Sequence, residues 1–179
     1  MVRGNPVPAR NIKPWLWLAG AIIALDQVSK WIVLGVLQVG DSRYVAPFFN
    51  WVLTFNPGAA FSFLSDAGGW QRWFFTLLAL GVSAWIVGML SRHSGEFRLS
   101  LALSMILGGA LGNVIDRIRF GAVVDFVQWH MAGYYFPAFN VADSAITIGA
   151  ILLAWDQFAG KPSTDGAVKS AHDVSNDLR

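Results

Sequence analysis

Six charged residues stand where a chain this apolar has little reason to keep them: Asp26, Lys30, Asp116, Arg117, Asp125 and Asp143. Two carboxylates brought together at a dry surface suit the general acid–base hydrolysis of a peptide. One activates water while the other protonates or hydrogen-bonds the carbonyl oxygen. Asp125, in Gly121-Ala122-Val123-Val124-Asp125-Phe126, and Asp143, in Phe139-Asn140-Val141-Ala142-Asp143-Ser144, are the candidates for that pair. Asn140 is placed to cap a helix with Asp143 three residues on, so Asp143 taken alone reads equally well as a capping residue. Asp125 has no such role in its apolar stretch. In a pair sharing one proton, the positive end of the helix dipole makes Asp143 the preferred seat of the negative charge.

Asp26 and Lys30 are four apart with the acid first, so they share one helix face. Each alone costs about 2.5 to 3.5 kcal/mol at the middle of a bilayer, so mutual pairing is expected. The pair either orients and packs its helix or touches a substrate directly. Gly108-Gly109-Ala110-Leu111-Gly112-Asn113 precedes Asp116-Arg117, and small residues at these spacings admit a second helix backbone at close range. Asn113, Asp116 and Arg117 are expected on a common face. There Asp116 and Arg117 form an interfacial salt bridge, or Arg117 presents its fixed donors to a peptide carbonyl or a lipid head group.

Other chemistries fit less well. With no cysteine the chain has no disulfide, thiolate metal site or cysteine nucleophile, and His93, His130 and His172 are too far apart for a local metal motif. No metal or cofactor is expected. There is no GxSxG turn and no GxGD pattern, and Ser29 beside Lys30 points elsewhere on a helix, which makes a poor Ser–Lys dyad. Spacing alone leaves open a small proton-coupled transporter using intramembrane Asp residues, or a structural membrane subunit.

The elements that position these residues follow from composition. Of 179 residues only 13% are charged, about half the share usual in soluble domains, and 55% are hydrophobic, with nine Trp and thirteen Phe. A mean hydropathy of +0.49 argues for a membrane protein. Ten of the eleven acids are Asp, Glu96 being the exception. Four apolar stretches of roughly the required 20 residues are read as transmembrane helices, at about 15–37, 70–90, 99–118 and 141–158. The first is a retained span and not a cleaved leader, because Asp26 and Lys30 interrupt it and no small-residue cleavage site follows.

Lys and Arg fall mostly on one side: Arg3, Arg10, Lys13, Arg92, Arg98, Lys161, Lys169 and Arg179, against Arg43, Arg72, Arg117 and Arg119. Both termini are therefore expected in the cytoplasm and the first and third connections outside. The basic pI of about 9.2 is read as topology, not as nucleic-acid binding. Tyr44–Phe55 is β-prone and Asn56-Pro57-Gly58 is a turn signal, which predicts a small extracytoplasmic β element. Residues 120–140 are expected as an aromatic outer loop packed with it. Residues 1–159 form one membrane domain in this reading, and 160–179 a disordered cytoplasmic tail.

Taken together, these boxes resemble the lipoprotein signal peptidases (signal peptidase II). Asp26-Gln27-Val28-Ser29-Lys30 and Thr54-Phe55-Asn56-Pro57-Gly58-Ala59-Ala60-Phe61 are similar to the first two motifs of that family. Gly108 to Arg117 with Val124-Asp125-Phe126 is similar to the third, and Phe136-Pro137-Ala138-Phe139-Asn140-Val141-Ala142-Asp143 to the last. The resemblance runs over residues 15–158 in order and spacing.

It implies a membrane aspartyl endopeptidase that removes the signal peptide of diacylglyceryl-modified prolipoproteins, cutting on the N-terminal side of the lipidated cysteine. Asp125 and Asp143 match its catalytic pair. Asn56, Gly58, Asn113, Asp116, Arg117 and Asn140, with Asp26 and Lys30, match positions that shape the pocket or bind substrate. The implied setting is the bacterial inner membrane, with the site toward the extracytoplasmic face, a monomeric chain, contact with membrane lipid, inhibition by globomycin-type cyclic peptides, and no nucleic-acid partner.

Overall fold

The computed structural model describes residues 11–58 and 69–158. Four helices account for most of them: α1 (Lys13–Val36), α2 (Trp70–His93), α3 (Phe97–Phe120) and α4 (Val141–Phe158). All four are long and apolar enough to cross a membrane. At 1.5 Å per residue, a 24-residue helix reaches about 36 Å against a hydrocarbon core of about 30 Å. The expected spans agree with these bounds to within three residues. Expected features at Ala59, Ala60 and Phe61, in the N-terminal tail and in 160–179 lie outside the described residues.

α3 is the hub, packing against α1, α2 and α4. Its glycines make that possible. A Cβ on Gly108 would meet the Ala19 carbonyl of α1 at 2.8 Å, and one on Gly109 would run into the Ala142 carbonyl of α4. One on Gly112 would meet the Asp26 carboxylate at 2.8 Å. The expectation of close helix approach is met, and Gly112 adds a specific clearance for Asp26. Below these contacts Ile86, Leu90, Leu99, Leu103 and Leu107 form the bundle core, while Trp17, Trp31, Leu77, Trp85 and Trp155 face outward.

One end of the bundle is covered by an antiparallel sheet of order β1-β2-β3-β4: β1 (Ser42–Ala46), β2 (Phe49–Asn56), β3 (Val123–Met131) and β4 (Tyr134–Tyr135). The segment expected as an aromatic outer loop thus joins the sheet as β3 and β4, and the two connections form one element. The β-branched and aromatic run Val123-Val124-Asp125-Phe126-Val127 carries the strand signal. Val33, Leu37, Leu53, Val124 and Phe126 seat the sheet on the helices.

Two chain reversals then set the site. Gly121, at φ +81° in the left-handed region, ends α3 with its N–H on the Arg117 carbonyl at 3.1 Å and turns the chain into β3. After β4, Phe139 pairs back on Val127 and delivers Asn140 and the start of α4 beside β3.

Candidate active site

Asp125 and Asp143 come from β3 and α4, and neighbouring residues give each carboxylate a donor on both oxygens. Thr54 lies opposite Asp125 across the β2–β3 ladder, so Asn56, two residues along, is its diagonal neighbour on the same face. Asn56 Nδ2 donates to Asp125 Oδ2 at 3.1 Å, and Asn140 Nδ2 to Oδ1 at 2.7 Å. Asn113 Nδ2 donates to Asp143 Oδ1 at 2.8 Å, and the Asn140 backbone N–H to Oδ2 at 3.3 Å. The Asp143 N–H returns a bond to Asn140 Oδ1 at 2.8 Å, closing a reciprocal cap at the start of α4. Asp143 therefore caps α4, and its charge acts on Asp125. Asn140, fully buried, binds both carboxylates.

Asp125 is only 1% exposed, whereas Asp143 is half-buried. Burial pushes the Asp125 carboxyl up to about 7, and the nearby Asp143 charge adds to the rise. Hydrogen bonds from Asn56 and Asn140 and the positive charge of Lys30 work in the opposite direction. Gly58 contributes indirectly. Its N–H donates to Asn56 Oδ1 at 2.9 Å in a turn that needs its φ of +111°, which aims the Asn56 amide at Asp125.

Behind this surface lies a buried ionic cluster. Lys30 Nζ sits 2.7 Å from both Asp26 Oδ2 and Asp116 Oδ2 and donates to Asn113 Oδ1 at 3.1 Å. Asp26 Oδ1 accepts the Ala142 N–H at 2.9 Å, and Asp116 Oδ2 accepts the Val124 N–H at 3.1 Å. The cluster therefore joins α1 and α3 to the two segments that carry Asp143 and Asp125. Of the two sequence readings for Asp26 and Lys30, the geometry favours the packing role, because the exposures of 0% and 2% leave neither open to a ligand.

The expected Asp116–Arg117 ion pair is not among the bonds of the described residues. Adjacent helical residues point about 100° apart, so Asp116 turns to Lys30 and β3 while Arg117 turns toward α2. The Arg117 guanidinium lies 5.5 Å from the Phe75 ring centroid, its Nε is buried with no partner among the described residues, and it feels the charges of Asp143, Asp116 and Asp125. Its Nη1 donates to the Asn113 carbonyl at 3.5 Å.

Two contributors escaped the sequence reading. Gln27 Nε2 reaches Asp26 Oδ2 at 3.1 Å, Asp116 Oδ1 at 2.9 Å and the Gly112 carbonyl at 3.2 Å. Phe75 supports both Arg117 and the Gly58 turn, where a Cβ on Gly58 would stand 2.5 Å from its ring. Gln27 lay within a quoted motif, whereas nothing local to Phe75 marks it.

Known proteins resemble this chain over most of its length. A family model described as signal peptidase (SPase) II matches residues 18–159. The chain is 54% identical over 143 residues to a lipoprotein signal peptidase of Polynucleobacter necessarius, covering 80% of this chain and 88% of that one. It is 55% identical over 147 residues to another from Ralstonia nicotianae, covering 82% and 85%. Two solved structures of bacterial membrane enzymes superpose with TM-scores of 0.72 and 0.73 at 35% and 34% identity. They cover 85% and 84% of this chain and 94% and 96% of their own.

Proposed function

The chain belongs to the signal peptidase II family, and from that premise we propose that it is an aspartic endopeptidase of the bacterial inner membrane. Its substrates would be diacylglyceryl-modified prolipoproteins, cut on the N-terminal side of the lipidated cysteine. The observation that carries the catalytic assignment is the convergence of Asp125 and Asp143 on Asn140, whose side-chain amide donates to Asp125 and whose backbone N–H donates to Asp143, each carboxylate having donors on both oxygens. The transporter alternative is set aside, since the relatives at more than half identity are peptidases by name.

The reaction assigned to the pair runs as follows. The ionised Asp143 takes a proton from water as the water oxygen attacks the scissile carbonyl carbon, and protonated Asp125 hydrogen-bonds and then protonates the carbonyl oxygen. Collapse of the tetrahedral intermediate breaks the C–N bond. The proton held by Asp143 passes to the leaving nitrogen of the cysteine, and Asp125 recovers its own as the carboxyl forms. Arg117 and the asparagines Asn56 and Asn113 are the groups proposed to hold the peptide extended. Both termini are assigned to the cytoplasm and the sheet to the outer face, in line with the Lys and Arg distribution. A single domain covering residues 1–159, a monomeric chain, contact with membrane lipid and inhibition by globomycin-type cyclic peptides belong to the same proposal.

The test is a gel-shift assay on a prolipoprotein with and without its diacylglyceryl group. Cleavage of the modified form alone is expected. Cleavage that needs an added metal, or that ignores the lipid, would overturn the reading.

A pH dependence accompanies it. Asp125 is protonated below about 7 and loses its proton above, so kcat/KM is expected to fall as the pH rises through about 7. Asn56→Ala removes a bond that favours the charged form and is expected to move this alkaline limb to higher pH. A wild-type rate unchanged from about pH 6 to pH 8.5 would exclude protonated Asp125 as the acid.

A further inference from the structure

A concavity with a charged rim lies at the opposite end of α3 from the aspartate pair. There α2, α3 and α4 enclose a cavity of about 670 Å³. Its wall is apolar, with Met89, Leu103 and Leu153, and its rim carries Glu96, Asp156 and Arg98. Asp156 is out of place by the ordinary rules. It sits half-buried in the last turn of α4, where the helix dipole disfavours an acid, and neither it nor Glu96 forms an ion pair among the described residues. Arg98 and His93 stand beside it in this cavity, neither ion-paired to it among the described residues, and a half-buried carboxylate at the edge of a membrane span suits a cationic partner.

The spacing points to the source of that cation. Arg98 and Asn113 are 15 positions apart on α3, about 22 Å, and Asp143 and Asp156 are 13 apart on α4, about 20 Å. A signal peptide has a basic segment followed by 7 to 15 apolar residues, which as a helix span about 10 to 22 Å. Resting on the peptidase reading above, we propose that this cavity receives the basic N-terminal segment of the substrate's signal peptide. The apolar segment then lies along α3 between α2 and α4, with the cleavage site at Asp125 and Asp143. Glu96 and Asp156 meet the Lys or Arg side chains, and the apolar wall takes their aliphatic stems.

The experiment compares two lipidated prolipoproteins that differ only in the N-terminal segment, one with its Lys and Arg residues and one with Gln in their place. In the Glu96→Gln/Asp156→Asn enzyme, KM for the basic substrate is expected to rise about five- to tenfold with kcat unchanged, while KM for the neutral substrate stays at its wild-type value. Arg98 opposes the incoming cation, so Arg98→Gln is expected to lower KM for the basic substrate. Equal losses on both substrates, or no loss on either, would overturn the proposal. So would a KM change that follows the phospholipid composition of the vesicles and not the substrate charge, which would assign the cavity to a lipid. The ratio of the two KM values within one enzyme controls for misfolding. A wild-type enzyme that cleaves neither substrate would instead bring down the peptidase reading.

Discussion

Asp125→Asn and Asp143→Asn are each expected to lower kcat about 10³-fold or more on a lipidated prolipoprotein, and the double variant no further than either alone. In the proposed mechanism the two carboxylates divide one proton between them, so removing either leaves a partner with nothing to exchange. Loss of activity without loss of fold is the decisive combination. Asn at 125 keeps one oxygen acceptor but sets an amide against one of the donors of Asn56 or Asn140, at about 1 to 2 kcal/mol.

Against that loss stands a gain. Between the ordinary carboxylate value and about 7, folded Asp125 holds a proton that the unfolded chain has released, so stability falls as the pH rises through that interval. Asn removes this penalty. The thermal midpoint of Asp125→Asn in detergent is therefore expected near that of wild type at pH 7, and to decline less as the pH is raised from 5 to 7. Retention of activity in Asp143→Asn alone would remove Asp143 from the chemistry, and additive losses in the double variant would mean that the two act independently.

Lys30→Met is expected to be the most destabilising single change in the ionic cluster, by about 3 to 5 kcal/mol. The lysine is the common partner of Asp26 and Asp116, both essentially buried. Removing it leaves two carboxylates facing each other without a cation and takes away the donor to Asn113. The combination Asp26→Asn/Lys30→Met/Asp116→Asn should recover most of that loss. Each Asn keeps an oxygen for the Ala142 or Val124 N–H, and no uncompensated charge remains. Unfolding measured in a fixed detergent separates the cases. If the triple variant were no more stable than Lys30→Met, the effect would lie in packing and not in charge.

Much of this was legible in sequence because it is local. The four spans are set by hydropathy and length, the capping role of Asn140 by its place before an apolar run, and the Asp26–Lys30 pairing by a separation of four. What failed to show was tertiary. Whether residues 120–140 form a loop or a strand depends on β2 being available as a partner, which no short window records. The parting of Asp116 from Arg117 turned on a 100° difference in heading that a shared-face argument is too coarse to resolve. That one lysine serves two acids, or that Phe75 lies under Arg117, requires knowing which helices touch.

The ionic cluster has a consequence for how the chain is made. Asp26 and Lys30 lie on one helix and neutralise each other within a single turn. The first span can therefore partition into the bilayer as soon as it leaves the ribosome, with no later segment present to screen its charges. Asp116 reaches a lysine already waiting, and the Ala142 N–H reaches an Asp26 oxygen already fixed. The order of synthesis thus matches the order in which the charges find partners, and the proposed catalytic end is complete only once the last helix is in place. Until then Asp125 lacks the Asn140 donor, so under the proposed mechanism the nascent chain is expected to be inactive.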